Sequence, residues 1–404
     1  MRVLCTGGWG YGNLGDEFIL RGTLAGVNLA LKNARVTVAS FNPETTRKWH
    51  HVDVIPSLHG AYYRKNSRTV SYVGIGKAWA SFFLSKYTKH IHLLRVVEEM
   101  YADYDLVIQA GGGYFNDLFW RAFPNFPLEL LGAIDSGKPV AMIGQTIGPF
   151  VHRFSAARVS SVLKQIPFIY VRDEGSIHVL NELGVHHAMR CADSALLVSP
   201  SDFEPKRPNE RYVVVFMQQT RPYIADSGAQ GNQVSREELL GSLAKVLSEI
   251  ATSEDVDVLI TTTMMYEGAL QMCEDLAFLL ANQYGHTSVR TLIPTAPQDV
   301  CYALSNAMLC ISMNLHPLIL ASALRIPCIG LSYWWKLDQF MNESQQTHQT
   351  IPLNVRAREF QELLRTAVLR SFTKRDDKEA SIHNAISQLK RQALLPFDRL
   401  AHFQ

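Results

Sequence analysis

A histidine stands where a predicted strand hands over to a helix. Ser312–Met313–Asn314–Leu315–His316–Pro317 follows the apolar run Ala307–Ser312 and precedes the small-residue stretch Leu318–Leu324. An imidazole there can move a proton near neutral pH, so His316 is a candidate acid–base group, with a satisfied structural histidine as the competing reading. After the next predicted strand, Tyr333–Trp334–Trp335–Lys336 places a cation where Lys336 could meet a phosphate. Arg221, just past the strand Tyr212–Met217, and Arg172, closing Phe168–Arg172, are further anion-pairing candidates. Each is equally able to form a structural ion pair.

Three glycine-rich turns end strands of the first half. The opening one, Thr6–Gly7–Gly8–Trp9–Gly10–Tyr11–Gly12–Asn13–Leu14–Gly15–Asp16–Glu17, precedes a helix that Asp16 would cap, and its backbone can approach an anion closely. It is not a dinucleotide fingerprint. The Gly8-x-Gly10-x-Gly12 spacing departs from that pattern, and the second strand ends Val38–Ala39–Ser40–Phe41–Asn42 without an acid for a ribose. No Lys-Ser/Thr pair follows the glycines, which excludes a Walker loop. The other turns are Ala110–Gly111–Gly112–Gly113–Tyr114–Phe115–Asn116–Asp117 and Gly144–Gln145–Thr146–Ile147–Gly148–Pro149–Phe150. Ligands of open α/β sheets bind at the carboxyl ends of strands, so Gly12, Asn13, Asp16, Gly112, Gly113 and Gln145 are expected to line one crevice wall. Asp117 is the carboxylate best placed there to act as a base, the alternative being a turn or cap residue.

Elements that position such residues alternate along the chain. Val3–Cys5, Val36–Ser40, Asp105–Gln109, Val140–Gly144, Phe168–Arg172 and Ala195–Val198 read as strands, separated by amphipathic stretches such as Glu17–Leu31 and Phe154–Gln165. Continuous apolar strands alternating with helices predict an α/β, doubly wound parallel sheet. A proline-bearing linker near residues 200–210 follows, and the pattern restarts with Tyr212–Met217, Val256–Thr261, Ser288–Leu292, Ala307–Ser312 and Pro327–Leu331 as strands. The expected organisation is two Rossmann-like domains facing a central cleft: 1–203 on the acceptor side, 204–375 on the donor side, and a helix in 376–404. A chain of 404 residues suits two cores.

A formal charge of +2 offers no reason to expect nucleic-acid binding. No apolar run approaches the roughly 20 residues of a spanning helix, and the first residues show no export signal. Cys5, Cys191, Cys273, Cys301, Cys310 and Cys328 are scattered, without metal-ligand spacing, and read as buried thiols of a cytoplasmic protein. One segment stands apart. Between Val54 and Val97 there is no Asp or Glu, while Arg64, Lys65, Arg68, Lys77, Lys86, Lys89 and Arg95 alternate with aromatics. Such an insertion suits peripheral contact with the inner face of an anionic membrane, or an anionic acceptor; a solvated excursion is the plainer reading.

Taken in order, these pieces resemble the polysaccharide pyruvyl transferase family. The matching residues are Gly10-x-Gly12–Asn13–Leu14–Gly15–Asp16–Glu17, Gly111–Gly112–Gly113 with Asp117, and Gly144–Gln145–Thr146–Ile147–Gly148–Pro149. Val171–Arg172–Asp173–Glu174–Gly175–Ser176, Leu183–Gly184–Val185, Ala192–Asp193–Ser194–Ala195, Asn314–Leu315–His316 and Ile326–Pro327 through Lys336 complete the set. The resemblance implies a fold like the GT-B glycosyltransferases. It also implies transfer of a pyruvyl group from phosphoenolpyruvate, a substrate rather than a cofactor, to a sugar or glycan, lipid-linked or not, to give a ketal. His316 matches the histidine of an Arg-x-His pattern that contacts the donor, with Leu315 beside it. Asn314 stands where the family usually has Arg and cannot supply a charged bidentate clamp. Arg221, Arg172 or Arg325 would then replace it, or the donor differs, or activity is lost.

Ketal formation needs an acid for the enol carbon, a base for the attacking hydroxyl and cations for the departing phosphate. The assignment is His316 as acid–base, Asp117 as acceptor-side base or orienter, and Lys336 with Arg221 as anion binders. Two other readings stay open: a nucleotide-sugar glycosyltransferase, and a family member that is non-catalytic, such as a scaffold in a biosynthetic complex, or repurposed for another donor. Against the former, Pro317–Ser332 holds no acid for a donor ribose.

Overall fold

The computed structural model describes residues 1–58, 60, 68–88, 90–199, 202, 211–219, 234–285, 288–373 and 379–402. Arg221, Arg64, Lys65, Lys89 and most of the predicted linker lie outside them.

Two compact units partition the chain. Met1–Tyr11, Ile19–Leu197 and Lys390–Gln404 form the first; Gly12–Phe18 and Val198–Leu389 form the second. Besides the step from Leu197 to Val198 in place of 203/204, the division differs from the expected borders at two further places. Gly12–Leu14 belongs with the second unit because its backbone bonds there: Leu14 donates to Thr263 and Met265 donates to Gly12, at 2.8 and 2.9 Å. Lys390–Gln404, the end of the long helix Glu379–Leu400, belongs with the first because Phe397 and Leu400 are buried against Val3, Cys5 and Val27.

The first unit holds a seven-stranded parallel sheet. Its strands are β1 (Arg2–Thr6), β2 (Arg35–Ser40), β3 (Asp53–Pro56), β4 (Leu106–Phe115), β5 (Val140–Ile147), β6 (Phe168–Val171) and β7 (Met189–Arg190), in the order β3-β2-β1-β4-β5-β6-β7. The strand order reverses between β1 and β4, the switch point where open α/β sheets leave a ligand crevice. Both sheet faces are covered, as a parallel sheet requires. Ile19, Leu20 and Val27 of the helix Leu14–Ala30 pack one face, and Leu94, Val97, Leu130, Val159 and Leu163 the other.

β8 (Tyr212–Phe216), β9 (Asp257–Thr261), β10 (Val289–Thr291), β11 (Ala307–Ser312), β12 (Cys328–Ser332) and β13 (Thr350–Pro352) build the second unit's parallel sheet, ordered β10-β9-β8-β11-β12-β13. Its switch point lies between β8 and β11. Burial of Val213, Val215, Ile260, Leu309, Ile311 and Ile329 among helical leucines supplies the core.

Several expectations are corrected. Ala195–Val198 is no strand: Ser194–Leu197 is one 3-10 turn, and the sheet's edge is the two-residue β7. β4 and β5 do not stop at their glycines but run on to Phe115 and Ile147. Gly144, at φ 74, supplies the irregularity that lets β5 continue with a register shift between Ile143 and Gln145. Where it is described, the basic stretch is packed on the first unit along one face. It contains the helix Arg68–Leu84, whose Ile75, Ala78 and Phe82 are buried in the first unit. All six cysteines are buried thiols; burial pushes those of Cys5, Cys191 and Cys273 up to about 12, which leaves no thiolate for chemistry.

Candidate active site

In the second unit, β11 ends in a turn that Ser312 builds. Its hydroxyl accepts from the Asn314 N–H at 2.9 Å and donates to the Asn314 carbonyl at 2.8 Å. Asn314 then takes the N-cap position of the helix Leu315–Ala323, with extended backbone (φ −100°, ψ 139°), but its side chain makes no cap bond. Instead its Nδ2 donates to Gln218, which follows β8 across the switch point. Asn314 is only 4% exposed, and its Oδ1 has no hydrogen-bond partner among the described residues. Gln218 also bonds the Tyr333 phenol beyond β12, which burial pushes well above the usual tyrosine range. One amide thus couples the carboxyl ends of three adjacent strands.

His316 sits in the first turn of that helix, half-buried. Against it lies Gly15: a Cβ built there would fall 2.3 Å from the imidazole Nδ1 and 3.1 Å from Asn13 Oδ1. No side chain fits between. Asn13 caps the helix Leu14–Ala30, its Oδ1 accepting the Gly15 N–H at 3.0 Å while its Nδ2 donates to Asp16 at 2.8 Å. The cap is therefore Asn13, not Asp16, because the helix begins two residues earlier than Asp16. Gly12 joins them through the bond from Met265.

Lys336 opens the helix Trp335–Glu343 next to β12, its ammonium 5.7 Å from the ring centroids of both Trp334 and Trp335. β12 pairs with β11, so Lys336 and His316 follow neighbouring strand ends. Arg325 precedes β12 and therefore lies at the opposite, amino edge of the sheet. It cannot replace a guanidinium at position 314.

In the first unit the expected residues are held more tightly than a crevice wall would require. Gln145 is fully buried in β5, pairs with Gly112 of β4, and donates to the Tyr114 hydroxyl at 2.7 Å and to the Ala110 carbonyl. Gly113, half-buried, follows in β4 and accepts from Asn116 at 2.7 Å. Asp117 is 4% exposed; one oxygen accepts the Val151 N–H at 2.7 Å and the other the His152 N–H at 2.9 Å. Its carboxylate organises the turn after β5. Arg172 makes a buried ion pair with Asp193 and donates to Thr146 at 2.9 Å, while Thr146 donates to Asp173, the N-cap of the helix Glu174–Glu182. Its guanidinium is held by these two contacts within the first unit.

The structure thus groups His316, Asn314, Leu315, Lys336, Gly12, Asn13 and Asp16 in one unit, and Asp117, Gly112, Gly113, Gln145 and Arg172 in the other. Gln218 escaped sequence reasoning, and Tyr333 was quoted there without a role. Their position just past β8 and β12 was the available signal.

Comparison with known proteins agrees with this layout. UDP-GlcNAc 2-epimerase from Methanocaldococcus jannaschii superposes with a TM-score of 0.59 at 12% identity, covering 97% of this chain and 100% of that one. A putative UDP-N-acetylglucosamine 2-epimerase from Listeria monocytogenes gives 0.63 at 10%, covering 100% and 96%. At such identities the likeness concerns the fold alone, which is GT-B-like. Among curated proteins, the amylovoran biosynthesis protein AmsJ of Erwinia amylovora is 25% identical over 211 residues, 49% of this chain and 49% of AmsJ. The chain spans about half the length of that relative. The family model for polysaccharide pyruvyl transferase matches residues 13–334, from the cap of the first helix to a tryptophan shortly before Lys336. On that match, which takes in both units, the chain belongs to the polysaccharide pyruvyl transferase family.

Proposed function

We propose that this protein transfers a pyruvyl group from phosphoenolpyruvate to a sugar or glycan hydroxyl in the cytoplasm and closes a cyclic ketal on a second hydroxyl. The observation that carries the reading is the seating of His316: first turn of a helix, switch point of the sheet, a glycine cleared of any side chain beside its ring. The imidazolium would protonate C3 of the enol, leaving an electrophilic C2. The neutral imidazole then takes the proton of the first acceptor hydroxyl as its oxygen bonds to C2, the C2–O bond to phosphate breaks, and the second hydroxyl adds to C2 as its proton passes to the departing phosphate. Lys336 and the N–H groups of Leu315 and His316 offer positive charge for the donor's carboxylate or phosphate. Rotating the Asn314 and Gln218 amides together preserves their mutual bond and turns an Asn314 N–H towards the donor in place of a guanidinium. Asp117 acts by holding the Val151–His152 turn on the acceptor side.

The test is phosphate release and product mass with phosphoenolpyruvate and a glycan panel. His316→Ala should lose about 10²–10⁴-fold in turnover. Near-wild-type turnover by that variant would end the assignment. A second reading, a different donor, is favoured by Asn314 itself, which cannot clamp a carboxylate with charge. A thermal-shift screen of phosphoenolpyruvate beside UDP-, GDP- and CMP-sugars separates the two. Stabilisation by a nucleotide sugar alone would select the second.

A further inference from the structure

The helix Arg68–Leu84 is apolar on two faces and covered on one. Ile75, Ala78 and Phe82 are buried, while Tyr72, Val73, Phe83 and Leu84 are exposed, with Lys77 on the same outer stripe. A helix apolar all round belongs in a core or at a membrane, and the outer face here has no protein cover among the described residues.

Contacts with neighbouring segments extend that face. Trp79 Nε1 donates to the Trp120 carbonyl at 2.8 Å, and the Arg121 guanidinium lies over the rings of Tyr72 and Trp120 at 5.8 and 5.3 Å. Trp120 is 45% exposed. Arg158 joins the helix Arg153–Leu163 to the end of Arg68–Leu84 through Phe82 O at 3.0 Å and Ser85 Oγ at 2.6 Å. Phe154, on that second helix, is 79% exposed, and Val151 before it 63%. No Asp or Glu occurs in Val54–Val97, Leu118–Leu128 or Ser136–Arg172, whereas Lys77, Lys86, Arg121 and Arg153 are all exposed on these segments.

We infer that this surface of the first unit docks on an anionic lipid bilayer. Phe, Leu and Val exposed beside Trp and Tyr suit insertion at the headgroup boundary, and cations without acids suit anionic headgroups. A glycan-binding face would add carboxylates or amides for sugar hydroxyls to such rings, and these segments hold no carboxylate. The helix Arg68–Leu84 lies between β3 and β4, while Trp120 and Arg121 follow β4 and Val151 and Phe154 follow β5, so those two parts of the surface lie at the carboxyl edge of the sheet. An acceptor bound there would be presented from the membrane as a lipid-linked glycan, a consequence that rests on the pyruvyl-transfer reading, although the docking does not.

Co-sedimentation of the full chain tests it, with vesicles of phosphatidylcholine alone or mixed with phosphatidylglycerol, at low and high salt. Binding is expected only to the mixed vesicles. It should weaken with salt and fall about fivefold for each cation removed, as in Lys77→Ala and Arg121→Ala. Phe154→Ser and Trp120→Ser should also weaken it, while Phe278→Ser, an exposed position in the second unit, should not. Unchanged thermal melts establish folding, and Phe154→Ser, at a largely exposed position, serves alone if another variant unfolds. Equal binding to both vesicles, no binding, or patch variants that bind like the parent would overturn the inference. Loss of soluble-glycan binding by those variants with vesicle binding intact would overturn it too. Phosphate release with a soluble acceptor, unaffected by patch variants, reports separately on pyruvyl transfer.

Discussion

His316 is held by the absence of a neighbouring atom as much as by any contact. Because a Cβ on Gly15 would lie 2.3 Å from Nδ1, Gly15→Ala must push the ring or the helix start aside. Overpacking of this kind costs about 1–3 kcal/mol. The expected outcome is a roughly 10- to 100-fold loss in kcat/KM with phosphoenolpyruvate together with a melting temperature lowered by about 2–10 °C. A variant with parental kcat/KM would show that the ring need not stay there. The residue identities His316, Lys336 and Gly15 were visible in the chain; that Gly15 makes room for the histidine was not, since the two lie near opposite ends of the sequence.

Among the elements, the turn after β5 shows what Asp117 contributes. Two backbone N–H groups converge on its two oxygens, and hydrogen bonds to a charged acceptor contribute about 1.5–3 kcal/mol each. Asp117→Ala should therefore lower stability by roughly 3 kcal/mol in chemical denaturation. Asp117→Asn, which keeps one acceptor, should retain kcat within about tenfold and an unaltered pH profile. Disappearance of the acidic limb of the kcat/KM profile in Asp117→Asn would instead make it the base. Periodicity revealed β1, β2, β8 and β11 nearly residue for residue. It missed β3, β7 and β13, edge strands of two to four residues too short to show alternation. It also ended β4 and β5 early, because a glycine reads as a turn when it can equally be an irregularity within a paired strand.

At the scale of the first unit, one buried carboxyl ties stability to pH. Glu129, in the helix Asn125–Asp135, is buried; desolvation pushes its carboxyl up to about 7, although the Leu58 N–H donated at 2.8 Å pulls it down. Between its ordinary value near 4.5 and about 7, the folded chain holds a proton that the unfolded chain has lost. Its contribution to stability is therefore complete below 4.5, falls as pH rises through that window, and is gone above it, a change of on the order of 3 kcal/mol. Glu129→Gln keeps an acceptor for Leu58 and removes the titration. The difference in unfolding free energy between parent and variant should then shift in the variant's favour from about pH 5 to about pH 7.5. A constant difference would mean that the carboxyl titrates normally.

Local information in the chain sufficed for two parallel α/β halves, for the histidine and lysine after neighbouring strands, and for the family. Strand alternation, helix starts and motif order depend on residues near one another in sequence. Tertiary structure alone decided which partners each candidate meets. Arg172 finds Asp193, Asp117 finds two backbone amides, and Asn314 finds Gln218, each across a separation that no spacing rule spans. A charged or amide side chain declares its possible partners by type. Its actual partner is whichever group the packed sheet brings within hydrogen-bond reach.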